Sequence, residues 1–249
     1  MTFILPTTIL ITGANSGIGL ASCKQLAMKD STKKVILGCR NKDRAEAAVA
    51  KLIEETGKKD VFEILIMDVM DLESIKSAVS TLSEPVDAVI LNAGGPGKEQ
   101  NAKTNHSSTQ IMALNVTGHA FLVDELIRNN KLAKGSTVIY ASSEAARGVK
   151  SFGFPAPIYD SGSVQEFKDA INGNKFVKLK DQSYETVYGY AKSIGVLWSG
   201  GMSRKFPDFG FISVTPIRNK STQRFKWVHK VLVYSSWSNS QILWCWPRY

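Results

Sequence analysis

The chain has no apolar run of about 18 residues, the length that a membrane-spanning helix needs. Its first ten residues also lack the basic start and the long apolar stretch of a secretory signal. We therefore expect a soluble, cytoplasmic protein without a transmembrane segment.

Disulfide partners and metal ligands are scarce. Cys23, Cys39 and Cys245 are far apart and form no CxxC pair, and the three histidines show no metal-ligand spacing. The sequence therefore predicts neither a disulfide framework nor a metal site, and it favours a reducing compartment.

No linker rich in Pro, Gly or Ser divides the 249 residues, so we expect one large domain over residues 1–216. Residues 217–249 differ in composition, because they hold four of the five tryptophans and six Lys or Arg but no Asp or Glu. Most of the net charge of +9 lies in this tail. The charge of the domain is nearly balanced, so we expect no nucleic-acid partner.

The sequence does contain a repeated alternation of short apolar runs and helical patterns. We predict strands at residues 9–11, 34–39, 61–67, 86–91, 136–141 and 211–214. Predicted helices follow the first strand and cover residues 43–55, 71–79, 110–127 and 184–205. This alternation predicts a Rossmann-like, doubly wound parallel sheet with helices on both faces, a three-layer α/β/α architecture. Its ligands are expected beyond the carboxyl ends of the strands.

A glycine-rich turn directly follows the first strand and precedes a helix. Glycines allow a tight turn, and the first amides of the helix favour an anion such as a pyrophosphate. We expect the following residues to bind a dinucleotide: Gly13, Asn15, Ser16, Gly17, Ile18 and Gly19.

The second strand ends at Cys39, followed by Arg40 and Asn41, where NAD-binding proteins usually carry an acid. An arginine here would pair with the 2′-phosphate of NADP, so we expect NADP(H) to be preferred over NAD(H). The alternative is that Arg40 is a solvated side chain near a helix start.

The TGxxxGxG spacing of the turn resembles that of short-chain dehydrogenases and reductases. Further motifs occur in that family's order, and the resemblance continues to Pro216. It implies that Asp68, with Val69 beside it, binds the adenine, although a turn or cap is an open alternative for Asp68. It also implies that the turn formed by Asn92, Ala93 and Gly94 passes close to the cofactor.

Tyr188 and Lys192 form a YxxxK pair, whose spacing places both side chains on one helical face. The resemblance adds Ser143 and Asn115 to a catalytic set and places Tyr188 and Lys192 against the cofactor. Tyr188 would exchange the proton, and Lys192 would lower its pKa from about 10 and hold the nicotinamide ribose. Ser143 would hydrogen-bond the substrate oxygen, and Asn115 would position a water that connects Lys192 to solvent. Packing of Tyr188 on a buried face is the alternative.

Together these motifs predict an NADP(H)-dependent oxidoreductase that interconverts a carbonyl and an alcohol on a small or lipophilic substrate. The alternative is a catalytically inactive nucleotide-binding or regulatory protein. The resemblance also implies a homodimer formed through the two long helices that carry Asn115 and Tyr188.

A long insertion of 44 residues separates Ser143 from Tyr188, as in the retinol dehydrogenase, carbonyl reductase and protochlorophyllide reductase branches. Residues 164–171 within it predict a short amphipathic helix. We expect the insertion to cover the substrate site. Exposed Phe152, Phe154 and Tyr159 would suit a lipophilic substrate, and filling a small satellite core is an equal alternative.

The family pattern stops at Pro216, which we expect to contact the cofactor. Members continue with Gly and a Thr-containing segment, whereas this chain continues with Ile217 and Arg218. We hypothesise that residues 217–249 result from a frameshift, a retained intron or an alternative transcript. A genuine tail, with one candidate strand at residues 228–234, would suit nucleic acid or an anionic membrane surface.

Overall fold

A computed structural model describes residues 5–95, 99 and 101–215, together with the backbone of residues 217–218, 225–226 and 232–233. The strands are β1 (Thr8–Thr12), β2 (Lys34–Cys39), β3 (Phe62–Ile66), β4 (Val86–Leu91), β5 (Leu132–Ala141), β6 (Gly210–Val214), β7 (Ile217–Arg218), β8 (Phe225–Lys226) and β9 (Leu232–Val233). The helices are α1 (Gly17–Ala27), α2 (Lys42–Thr56), α3 (Leu72–Thr81), α4 (Gln110–Met112), α5 (Gly118–Arg128), α6 (Val164–Ile171), α7 (Asn174–Lys178) and α8 (Tyr184–Lys205).

The main sheet has the order β3-β2-β1-β4-β5-β6-β9, in which the first six strands are parallel and β9 is antiparallel to β6. β7 and β8 form a separate antiparallel pair. The strand order reverses between β1 and β4, which leaves a crevice at their carboxyl ends. The predicted Rossmann-like parallel sheet is confirmed.

Side chains of alternate strand residues point to opposite faces and build two cores. Leu10 and Ile36 pack with α3 and α5 on one face, whereas Ile9 and Val35 pack with α1 and α2 on the other. The predicted three-layer arrangement is therefore confirmed.

The predicted bounds of β2, β4, α6 and α8 agree with the structure. β5 differs, since it begins at Leu132 rather than at residue 136, beyond an irregularity in its pairing with β4. The helix predicted over residues 110–127 is interrupted by a π-helical segment, Ala113–Thr117, between α4 and α5. Apolar periodicity does not reveal such a segment, because the turns on either side remain helical.

The insertion forms two 3₁₀ turns (Glu144–Arg147 and Lys150–Phe152) and then α6 and α7. The hydroxyl of Tyr190 on α8 donates to the carbonyl of Ile158 at 2.5 Å and accepts from its amide at 3.0 Å. Phe176 of α7 is buried against the same tyrosine, with ring centroids 5.3 Å apart. These contacts fix the insertion on α8.

The boundary predicted at residue 216 lies outside the described residues, as does Pro216 itself. Of the candidate strand at residues 228–234, the described part is β9. Through β9, residues of the tail pair with the edge of β6. Within the described residues, no helix combines the length and apolarity that crossing a membrane requires.

Candidate active site

The glycine turn after β1 is packed against the turn after β4. Gly13 has a φ of +64°, and a Cβ at this position would lie 2.9 Å from Cα of Ala93. Oγ1 of Thr12 accepts hydrogen bonds from the amides of Asn92 and Ala93, both at 2.9 Å. The Asn92 side chain donates to the carbonyls of Thr12 and Gly13 at 3.0 and 3.3 Å. The two turns therefore form one unit at the point where the strand order reverses.

α1 begins beside this unit without a side-chain cap. Ser16, the N-cap residue, makes no capping hydrogen bond, and the first turn contains no acid. The first amides of α1 and the positive end of its dipole are therefore available to an anion.

A cavity of about 880 Å³ opens in front of the two turns. Most of the residues predicted to bind a dinucleotide line it: Gly13, Asn15, Ser16, Gly17, Ile18, Arg40, Asp68, Val69, Asn92, Ala93 and Gly94. Lining residues that the sequence analysis missed are Gly38, Met67, Met70, Glu99, Gln110 and Leu114. The volume lies in the range of small-molecule and cofactor sites.

Four predicted cofactor residues of the described part of the chain do not line this cavity: Gly19, Asn41, Tyr188 and Lys192. Gly19 instead allows close packing, because a Cβ there would lie 2.4 Å from the carbonyl oxygen of Gly13. Asn41 is the N-cap of α2, where its side chain accepts from the amide of Arg44 at 2.8 Å. Gly19 and Asn41 therefore support the turn and the helix beside the cavity without lining it.

Nη1 of Arg40 lies 3.6 Å from Oδ2 of Asp68, and both residues line the cavity. Asp68 also accepts a hydrogen bond from the amide of Met70 at 2.9 Å, which is the turn role that the sequence left open. Arg40 is largely exposed, so this ion pair is weak and easily exchanged for another anion.

Cys39, which occupies the position of the missing acid, is buried. Burial raises the pKa of its thiol, and hydrogen bonds from the amides of Ala14 and Asn15 oppose this effect. The thiol therefore stays protonated at neutral pH and offers no anion to a ligand.

The predicted catalytic residues meet at the carboxyl ends of β4 and β5. A Cβ built on Gly94 would lie 2.8 Å from Oδ1 of Asn115 and 3.3 Å from Nζ of Lys192. Nζ of Lys192 donates to the carbonyl of Ala141 at 2.9 Å and lies 5.5 Å from the ring centroid of Tyr188. Ser143 lies close enough to Tyr188 to lower the pKa of its phenol. The structure thus brings all four predicted catalytic side chains together beside the cofactor-sized cavity.

The π-helical segment places Asn115. Its side-chain amide donates to the carbonyls of Ile111 and Gly95, both at 2.8 Å, and its Oδ1 accepts from the amide of Gly95 at 3.1 Å. The side chain is therefore fixed to both the helix and the loop after β4. Single-turn π segments are frequent at functional sites because they redirect a side chain without ending the helix.

The lowered pKa expected for Tyr188 is not found in this structure. Burial raises the pKa of Tyr188 to about 12, with a further contribution from Tyr184, and nearby Ser143 opposes this rise. Lys192 lies against the ring face and not at the phenol oxygen, so desolvation dominates. Burial also lowers the pKa of Lys192 to about 8.

The sequence analysis missed two buried polar side chains of this region, Tyr140 and His119. The Tyr140 hydroxyl donates to the backbone carbonyl of Asn115 at 3.0 Å. Nε2 of His119 lies 3.1 Å from Oγ1 of Thr12. Both residues occur within apolar strand or helix patterns. A polar side chain at a position that the pattern predicts to be buried was the available signal.

The three aromatic residues of the insertion have separate environments. Phe152 is exposed, as expected. Tyr159 is half-buried against Phe167 and Tyr190, with centroids 5.2 and 5.4 Å away, so it belongs to a satellite core. Phe154 is also half-buried and lies 6.2 Å from the ring of Tyr188. The expectation of exposure is wrong for Tyr159 and Phe154, because aromatic side chains of α8 cover them.

The sequence pattern of short chain dehydrogenases matches residues 7–156. The chain belongs to the short chain dehydrogenase family. This confirms the predicted membership in a family of oxidoreductases.

Among curated relatives, a WW domain-containing oxidoreductase from Gallus gallus is 29% identical over 90% of this chain and 52% of its own length. Retinol dehydrogenase 14 from Mus musculus is 30% identical over 80% of this chain and 56% of its own length. This short chain dehydrogenase thus spans about half the length of these relatives.

The fold recurs in a short-chain dehydrogenase from Sphingobium yanoikuyae in complex with NADPH. It has a TM-score of 0.52 and 20% identity, covering 84% of this chain and 70% of that chain. At this identity the likeness concerns the fold alone.

Proposed function

We propose that the chain is an NADP(H)-dependent oxidoreductase that interconverts a carbonyl and an alcohol, with Tyr188 as the general acid and base. The observation that carries this proposal is the convergence of Tyr188, Lys192, Ser143 and Asn115 beside the cavity that the glycine turn lines. Membership in a family of oxidoreductases supports it.

The described residues fit a dinucleotide. Gly13 lies so close to Ala93 that residue 13 has no room for a side chain. The first turn of α1 offers uncapped amides to a pyrophosphate. Arg40 would hold a 2′-phosphate, and Lys192 the ribose of the nicotinamide. The nicotinamide supplies or accepts the hydride when it is bound.

The protein's own chemistry is a proton transfer at the phenol oxygen of Tyr188. Because burial raises the pKa of Tyr188 to about 12, its phenol carries a proton at neutral pH and can donate it to a carbonyl oxygen as a hydride adds to the carbonyl carbon. Ser143 would hydrogen-bond that oxygen and stabilise its developing charge. This arrangement favours reduction of a carbonyl near neutral pH.

The substrate is proposed to be a small or lipophilic carbonyl compound. Phe154 lies beside Tyr188 and also packs on Tyr184, with ring centroids 6.0 Å apart. The insertion therefore brings an aromatic surface to the catalytic phenol, as a substrate with an apolar body requires.

The test is NADPH oxidation by the purified chain over a panel of aldehydes and ketones, with NADPH binding followed separately by nicotinamide fluorescence. Turnover should fall by about 10²–10⁴-fold in Tyr188→Phe while NADPH binding persists. Binding without turnover across the panel in the unaltered chain would overturn the catalytic proposal and favour the nucleotide-binding alternative. Absence of binding would overturn both.

A further inference from the structure

Lys192 is a buried cation with few neighbours that stabilise its charge. Nζ donates to the carbonyl of Ala141 and lies against the rings of Tyr140 and Tyr188, 5.3 and 5.5 Å from their centroids. Buried His119 interacts with the same ammonium electrostatically. Within the described part of the chain, Lys192 forms no ion pair with a carboxylate.

The face of an aromatic ring attracts a cation within about 6 Å of its centroid, and the attraction is larger when both groups are desolvated. Tyr140 is 1% exposed and Lys192 is 4% exposed, so water does not screen this contact. Burial lowers the pKa of Lys192 to about 8, so a small change in its surroundings moves its charge through neutral pH. The ring of Tyr140 therefore bears directly on how much of Lys192 is charged.

The same side chain also contacts the asparagine of the site. The Tyr140 hydroxyl donates to the Asn115 carbonyl at 3.0 Å, inside the π-helical segment. Tyr140 thus touches two of the four converging residues, through its ring and its hydroxyl respectively.

Gly195 on α8 leaves room for the ring of Tyr140. A Cβ on Gly195 would lie 2.1 Å from Cζ and 2.2 Å from the hydroxyl oxygen of Tyr140. Glycine inside a long helix has a cost of roughly 1 kcal/mol relative to alanine, and here the close approach of a ring accounts for it. Tyr140 and Gly195 are therefore a matched pair.

We propose that Tyr140 is a positioning residue, whose ring keeps Lys192 charged and whose hydroxyl holds the Asn115 carbonyl. This inference rests on the proposed function. Its two halves are separable, because Tyr140→Phe keeps the ring and removes the hydroxyl, whereas Tyr140→Leu removes both.

The pH dependence of kcat/KM for carbonyl reduction tests the ring. Because the ring favours the charged amine, its loss in Tyr140→Leu should lower the pKa of Lys192 and move the alkaline limb down by about one pH unit. Tyr140→Phe should leave the limb in place while kcat falls about tenfold from the loosened Asn115. Phe211→Leu is the matched control, since Phe211 and Tyr140 both pack edge-on against Trp198, with ring centroids 6.2 and 6.4 Å away. It should leave the limb in place.

Gly195→Ala gives a second route that leaves the tyrosine in place. Its Cβ would displace the Tyr140 ring and should move the limb in the same direction as Tyr140→Leu. Gly201→Ala on the same helix is its control, because a Cβ there meets nothing within 4 Å. An unmoved limb in both Tyr140→Leu and Gly195→Ala would overturn the role of the ring.

Titration of the Lys192 Cε by ¹³C NMR, assigned by its loss in Lys192→Met, reports the same pKa without turnover. A downward shift in Tyr140→Leu and its absence in Tyr140→Phe are expected. If the unaltered chain lacks activity on every carbonyl, the proposed function fails, but this titration still decides whether Tyr140 holds the charge. Equal pKa values of Lys192 in Tyr140→Leu and the unaltered chain would overturn the inference.

Discussion

Oγ1 of Thr12 lies 3.1 Å from Nε2 of His119 in the interior between β1 and α5. A hydroxyl has one proton and two lone pairs, and the amides of Asn92 and Ala93 occupy the lone pairs of Thr12. The hydroxyl proton is left for one of two acceptors, Nε2 of His119 or the carbonyl of Ile90 at 3.5 Å. Burial, with Lys192 as a smaller cause, lowers the pKa of His119 to about 3.

This neutral histidine makes stability depend on pH. The folded pKa of His119 is below the value of about 6.5 expected in the unfolded chain, so the unfolded state binds the proton first as pH falls. The contribution to stability is complete above pH 6.5 and decreases towards pH 3, by about 2 kcal/mol at pH 5. Between pH 7 and pH 5, the free energy of unfolding measured in urea should decrease less in His119→Gln than in the unaltered chain, by about 2 kcal/mol. His106→Gln, at an exposed histidine, is the control, and an equal loss in His119→Gln and the unaltered chain would contradict the prediction.

Thr12→Val should destabilise the fold by about 2–3 kcal/mol, because two amides of the turn after β4 lose their acceptor. NADPH binding should weaken as well, since that turn lines the cavity. Thr8→Val makes the same exchange at a buried threonine of the same strand. Urea midpoints and NADPH titrations measure both effects. Similar losses of stability and NADPH affinity in Thr12→Val and Thr8→Val would contradict the prediction.

Arg40→Gln should raise the Kd for NADPH about 10–100-fold and change the Kd for NADH by less than twofold. The physical reason is the loss of a charge-assisted contact to a 2′-phosphate, worth roughly 1.5–3 kcal/mol. The weak ion pair with Asp68 opposes that contact little. Arg44→Gln, at an exposed arginine in the first turn of α2, is the matched control. A parallel loss of affinity for both cofactors would show that Arg40 does not bind the 2′-phosphate.

The insertion should depend on one of its lysines far more than on another. Lys175 and Glu166 pair at 2.6 Å with side chains only 7% and 9% exposed, whereas the Lys178 that pairs with Asp169 at the same distance is 71% exposed. Removing one partner of a buried pair leaves an uncompensated charge. Lys175→Met should therefore speed limited proteolysis within residues 144–183 severalfold, and Lys178→Met should leave it within about twofold. Equal cleavage rates in the two variants would contradict this account.

Local patterns in the sequence predicted the order of strands and helices and most residues around the cavity. Gly13, Gly94 and Tyr188 were recognisable because each lies in a short motif of neighbouring residues. Tyr140 and Gly195 were not, since their relationship joins a strand to a distant helix. Gly195 still gave a signal, because a glycine within a helical pattern calls for a packing reason.

Electrostatics was the least predictable part of the site. The sequence places an ammonium one helical turn from the Tyr188 phenol, which suggests a lowered pKa. The pKa is raised instead, because burial depends on the insertion and on α8 packing together in three dimensions. The direction of a pKa shift thus depends on the packed structure and not only on which residues are neighbours in a helix.

The π-helical segment Ala113–Thr117 has a consequence for how the chain tolerates changes in length. A π turn holds one residue more than an α turn, so deleting a residue there would restore a regular ladder without rotating α4 or α5 out of register. Elsewhere in the same helix, a deletion would turn every later side chain by about 100° and remove the apolar face of α5 from the core. The fold can thus lose a residue at Asn115 and keep its packing, while the asparagine that we propose for the active site would be lost.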